Sequence, residues 1–146
     1  MVDTNIVFSA ILNTDSNIVY LLLNSSNVFI FYSAKYLQYE IENHKNKLIE
    51  ISHLKQKEIE EVKNLIYGNI KFLSEEQIPS EVWKRSVAFV GDVDMDDIAF
   101  VAMSEYLNTD LWTGDKKLTK GLQAKGFERC VRTQDLLAMR TALQRN

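Results

Sequence analysis

The sequence predicts an α/β protein, a three-layer α/β/α sandwich with a mainly parallel central sheet, and three observations carry that prediction. Short apolar runs rich in β-branched and aromatic residues alternate along the chain with segments of helical spacing. The 146 residues, 46% hydrophobic and 25% charged, match the length and apolar content of one globular core, so 1–146 is read as a single domain without linker or internal repeat. Strands that alternate with helices pair in parallel through crossovers, which places helices on both faces of the sheet.

The elements follow in order. Val2-Asp3-Thr4-Asn5-Ile6 resembles the carboxyl end of a buried strand, and because only Met1 and Val2 precede Asp3, that strand is either very short or cut by the start codon. Ile18 to Leu23 reads as a buried helix, and Asn24 to Asn27 as a turn. Val28 to Tyr32 is an apolar, aromatic run of strand character. Ser33 is the expected N-cap of a helix carrying Tyr36, Leu37, Glu40 and Ile41, and Ser52 that of a helix in which Ile59, Val62 and Ile66 keep helical spacing. Ile70 to Leu73 is a strand, and Pro79-Ser80 opens a helix with Val82, Trp83, Val87 and Val90 that stops at Gly91. A carboxylate-rich loop, Gly91 to Asp97, leads into Ile98 to Leu107, which is apolar almost all round and hence a buried helix. Leu111 to Thr113 is a strand, Lys116 to Leu122 a short helix stopped by Gly126, Cys130-Val131 a last strand, and Thr133 the N-cap of a terminal helix with Leu136, Leu137 and Leu143.

Composition excludes several classes of function. No apolar run approaches the ~18–20 residues of a membrane span, and the first residues lack the basic and apolar regions of a signal peptide, so a cytoplasmic protein with no membrane partner is expected. One cysteine, Cys130, rules out an internal disulfide, and with only His44 and His53 as imidazoles any metal would need oxygen ligands. Trp83 and Trp112 are read as core residues, Cys130 as a small buried hydrophobe. The net charge of −3 speaks against nucleic acid held by bulk electrostatics, yet it is unevenly spread. Residues 1–115 carry 9 Lys+Arg against 18 Asp+Glu, net −9, and residues 116–146 carry 8 against 2, net +6.

In a parallel sheet, ligands bind beyond the carboxyl ends of the strands. Four acids reach that rim: Asp3 after the first strand, Glu40 within the helix after the second, Asp97 at the head of the buried helix, and Asp115 after Leu111–Thr113. Glu40 is preferred to Glu42 because it shares a helix face with Tyr36, Leu37 and Ile41. Carboxylates brought close together each take up a proton or bind a cation, and an all-oxygen set selects Mg²⁺ or Mn²⁺. Such an ion can neutralise a phosphodiester oxygen and acidify the water that attacks phosphorus, so the expected chemistry is phosphodiester hydrolysis. Lys116, Lys117 and Lys120, directly after Asp115, are candidate contacts to flanking phosphates.

Val2-Asp3-Thr4-Asn5, the run Asp94-Met95-Asp96-Asp97-Ile98-Ala99-Phe100-Val101-Ala102, and Leu111-Trp112-Thr113-Gly114-Asp115-Lys116-Lys117-Leu118 resemble the motifs of the PIN-domain family over nearly the whole chain. The resemblance implies a small α/β/α domain whose acids, here Asp3, Glu40, Asp97 and Asp115, bind Mg²⁺ or Mn²⁺ and cut single-stranded RNA. It further implies Asn5 and Thr113 as supporting polar residues, and leaves two readings of the richer acidic loop: Asp94 or Asp96 also contacts metal, or Asp96 N-caps the helix. Many family members are toxins of VapBC toxin–antitoxin pairs, which implies a small antitoxin partner, homodimerisation through early helices, and an RNA substrate, single-stranded or structured. The alternatives are a catalytically inactive PIN-like module that binds RNA or protein, and an RNA-processing nuclease outside any toxin pair. A phosphatase of the haloacid dehalogenase type wants Asp-x-Asp-x-Thr, which Asp3-Thr4-Asn5-Ile6-Val7 does not supply.

Overall fold

The structure, a computed structural model, describes residues 1–91 and 95–144. Nine α-helices and four short strands follow one another among those residues: α1 (Thr4–Leu12), α2 (Asn17–Asn24), β1 (Phe31–Ala34), α3 (Tyr36–Asn43), α4 (Lys45–Ser52), α5 (Gln56–Tyr67), β2 (Ile70–Leu73), α6 (Ser80–Val90), α7 (Ile98–Leu107), β3 (Leu111–Trp112), α8 (Lys116–Ala124), β4 (Cys130–Val131) and α9 (Thr133–Gln144). Short 3₁₀ turns at Glu75–Gln77 and Met95–Asp97 lead toward α6 and α7.

The chain is α/β with parallel pairing, and the strands form two hydrogen-bonded pairs, β1 with β2 and β3 with β4. Val2 joins them. Its N–H donates to the Tyr32 carbonyl at 2.8 Å, and it forms an isolated parallel bridge with Trp112, whose N–H donates to Met1 O at 2.7 Å. The first strand is thus a single residue. From Asp3 onward the chain is helical, because the Asp3 side chain accepts from Ile6 N–H as the N-cap of α1, and Ile6, Val7, Ala10 and Ile11 then form a buried stripe of helical period.

Several boundaries differ from the sequence reading for identifiable reasons. Val28 and Phe29 both donate to Ser25 O in a turn, so β1 begins at Phe31 and Ile30 is left 61% exposed. Ser33 lies buried within β1, its hydroxyl donating to Val2 O at 2.7 Å, and α3 is capped from a distance: Glu75 Oε1 accepts from Tyr36 N–H at 2.7 Å. Ser52 ends α4, a helix the spacing did not reveal, and α5 starts after Lys55, whose N–H donates to Glu58 Oε1 at 3.2 Å. Only Leu21 and Leu22 of α2 are fully buried. Thr133 serves a tertiary contact, its hydroxyl accepting from Trp112 Nε1 at 3.1 Å, while Asp135 accepts from Arg132 N–H at the head of α9. The bounds of β2, α6 and α7 coincide with the sequence reading, and Gly126, at φ +91°, follows the end of α8.

The core is centred on α7, in which Ala99 to Ser104 are all buried, and which packs on β1, β3 and α6. No single helix among the described residues is long and apolar enough to cross a membrane.

Candidate active site

Asp3 and Asp115 occupy equivalent positions. Asp3 directly follows Val2 of the Val2–Trp112 bridge and Asp115 lies three residues after Trp112, and each N-caps the helix that leaves it, Asp3 accepting from Ile6 N–H and Asp115 from Leu118 N–H, both at 3.0 Å. Parallel pairing brings the two strand ends to the same rim. Asp3 is 2% exposed, and while its Oδ1 is used by the cap, its Oδ2 has no hydrogen-bond partner. Burial pushes the Asp3 carboxyl up to about 6; Thr113 and Ile6 N–H oppose the rise, and the charges of Asp115 and Glu40 add to it. The Thr113 hydroxyl is near enough to act on Asp3 without completing a hydrogen bond to it, and accepts from Asp115 N–H at 3.1 Å.

Glu40 reaches this group from α3. Its Oε1 accepts from the Thr4 hydroxyl at 2.5 Å, so the residue after Asp3 anchors it, while Glu42 lies exposed near Lys45. The structure therefore gathers Asp3, Glu40, Asp115, Thr4 and Thr113. Thr4 was missed in the sequence; its signal was adjacency to Asp3 at a helix head, where a hydroxyl is common. Asn5 is exposed on the first turn of α1 and lines a shallow cavity of about 310 Å³ with Asp115 and Thr133.

Asp97, half-buried, is the N-cap residue of α7 without a side-chain cap bond; Asp96 lies exposed one residue earlier and is not the cap. Asp94 falls outside the described residues. Among the described residues, no three or more Asp, Glu, His or Cys side chains are arranged to hold a metal ion, so the four acids do not form a ready ligand shell. What does fit a cation is Asp3 Oδ2, a buried carboxylate oxygen without a donor, with two further carboxylates acting on it.

Of the basic C-terminal segment, Lys116 and Lys120 line a cavity of about 610 Å³ with Asp115, Thr119 and Arg132, whereas Lys117 is exposed outside that lining. Two arginines are already paired within the protein. Arg132 pairs with Asp135 at 3.0 Å, and Arg140 donates to Asn24 O at 2.7 Å and Ser25 Oγ at 3.2 Å, tying α9 to α2.

A small α/β protein with acids at the ends of neighbouring parallel strands belongs to the class that presents carboxylates to a ligand at a sheet rim. The PIN domain profile matches residues 1–136, and the chain belongs to the PIN-domain family. PIN domains are generally nucleases, and those nucleases typically use divalent metals, which supports a hydrolase reading. No curated protein and no solved structure matches the chain.

Proposed function

We propose that the protein is a Mg²⁺- or Mn²⁺-dependent endoribonuclease that hydrolyses phosphodiester bonds of single-stranded RNA in the cytoplasm. One observation carries the reading: the orphaned, buried Oδ2 of Asp3, with the charges of Glu40 and Asp115 acting on it. Asp3, Glu40, Asp97 and Asp115 would hold the ion, with Asp94 or Asp96 as further candidates. The ion supplies neutralisation of a phosphodiester oxygen and acidifies the attacking water. Thr4 fixes the Glu40 carboxylate, Thr113 and Asn5 support Asp115 and the rim, and Lys116, Lys117 and Lys120 attract the flanking phosphates. On the family resemblance, the protein is the toxin of a VapBC-type pair, a homodimer held in check by a small antitoxin encoded beside it.

The test is incubation with single-stranded RNA and Mn²⁺, with and without chelator, beside Asp97→Asn. Metal-dependent cleavage lost in the variant is expected, and cleavage that survives both chelator and substitution overturns the proposal. A second reading, an inactive RNA-binding module, is favoured by the lack of a converged ligand shell among the described residues. Binding without turnover under any divalent ion would establish it.

A further inference from the structure

The face of α3 that carries Glu40 carries Tyr36 one turn earlier, and side chains at i and i+4 are neighbours on a helix surface. Tyr36 and Tyr39 from α3 and Trp83 from α6 line an open cavity of about 560 Å³, within the range of small-ligand sites, with Ile98, the residue after Asp97, also in its lining. The two tyrosine rings stack, their centroids 5.8 Å apart and their planes at 24°. Phe100, buried in the core, stands behind Tyr36 with centroids 6.3 Å apart, and the Glu75 carboxylate holds the Tyr36 N–H, so this wall is braced. Tyr39 is 60% exposed, and Trp83 packs against the core while remaining half-buried.

The charges of the lining decide what enters. One lysine, Lys35, is set against two carboxylates, Glu75 and Asp96, an excess of negative charge that disfavours a phosphate group inside the cavity and suits a neutral ring. Flat aromatic faces with a lysine among them suit a base carried on an anionic strand better than an aliphatic protein segment.

We propose that this cavity takes one unpaired nucleobase of single-stranded RNA, stacked on the Tyr39–Tyr36 wall beside Trp83, next to the phosphodiester presented to Glu40. The placement next to the cleaved bond rests on the nuclease reading above; the stacking of the base does not. Substrate choice would then be set in part at this cavity, one helical turn from Glu40.

The experiment uses short single-stranded oligoribonucleotides, each with 2-aminopurine at one position, titrated with the full chain in the presence of chelator. The expected result is quenching at one register. Tyr39→Ala should remove it and weaken binding about 5- to 150-fold, the range of one base–aromatic stack, while Tyr39→Phe keeps both. An abasic site at that register should weaken wild-type binding and leave Tyr39→Ala binding unchanged. Because Tyr39 is exposed, its truncation opens no core. Equal affinity and quenching for wild type and Tyr39→Ala, or indifference of the wild type to the abasic site, overturns the proposal and leaves an apolar protein segment as the occupant. Failure of the nuclease reading looks different: a wild-type protein that quenches the base yet does not cleave with Mn²⁺ retains the pocket, whereas one that cleaves with unaltered affinity in Tyr39→Ala retains only the nuclease.

Discussion

The Thr4 hydroxyl donates to Glu40 Oε1 at 2.5 Å and so ties the head of α1, directly after Asp3, to the middle of α3. The bond serves both fold and site. Thr4 is buried, and Glu40 carries one of the two charges that act on Asp3 at the rim. A hydrogen bond to a charged group contributes about 1.5–3 kcal/mol. Thr4→Val should therefore lower unfolding stability in urea by about that amount and reduce cleavage, and Thr4→Ser should restore both. A Thr4→Val protein as stable and as active as wild type would show that the bond positions nothing.

Asp3 makes stability depend on pH in a direction opposite to that of most carboxylates. Its folded pKa of about 6 lies above the ordinary 3.8, so between about pH 4 and pH 6 the folded state holds a proton that the unfolded chain has released. Its contribution is present below pH 4, declines as pH rises through 6, and is flat above that. Ionisation of Asp3 thus costs roughly 3 kcal/mol in the metal-free protein. Asp3→Asn should be more stable than wild type at pH 7.5 and should lose the excess at pH 4, measured as the difference in urea midpoints. Addition of Mn²⁺ at pH 7.5 should raise the melting temperature of wild type and not of the variant. An identical pH profile for the two proteins would contradict this account.

Asp115 holds two roles that one substitution separates. As N-cap of α8 it accepts from Leu118 N–H, a bond that asparagine can also accept, whereas its charge acts on Asp3. Asp115→Asn should stay within about 0.5 kcal/mol of wild type in chemical denaturation while losing cleavage, and Asp115→Ala should lose about 1 kcal/mol in addition. Retained activity in Asp115→Asn would confine the residue to capping.

These juxtapositions show what the chain discloses before it is folded. Meeting of Asp3 and Asp115 at one rim was legible from parallel topology, since each follows a strand, even though the first strand proved to be Val2 alone. The segments β2, α6 and α7 were legible because their apolar spacing is strong, and α6 is also bounded by Pro79 and Gly91. By contrast, α4 has a single fully buried residue, Leu48, and its helicity is settled by packing on α1 and α5. Ser33 and Ser52 have the chemistry of caps, but a hydroxyl does not announce its acceptor: Ser33 spends its proton on Val2 O. The cap of α3, Glu75, lies 39 residues from Tyr36, beyond any local signal. For the same reason the Thr4–Glu40 bond and the absence of a converged ligand shell among the described residues could not be read from spacing.

The uneven charge of the chain leads to a prediction about salt. Lys116 and Lys120 both line the cavity beside Asp115, one helical turn apart on α8, so under the proposed function they would present two ammonium groups to one stretch of RNA backbone. Each phosphate contact on a single strand contributes about −0.7 to the slope of log affinity against log salt. Lys116→Gln with Lys120→Gln should therefore reduce the magnitude of that slope by about 1.4 and weaken RNA binding at low salt. Lys117, exposed outside the lining, serves as the control: Lys117→Gln should change the slope by much less. Since none of the three side chains is buried, stability should stay within about 0.5 kcal/mol, so a change in slope reports binding and not unfolding. Equal effects of all three substitutions would mean that the basic segment acts only through its net charge, and that the cavity beside Asp115 does not guide the strand.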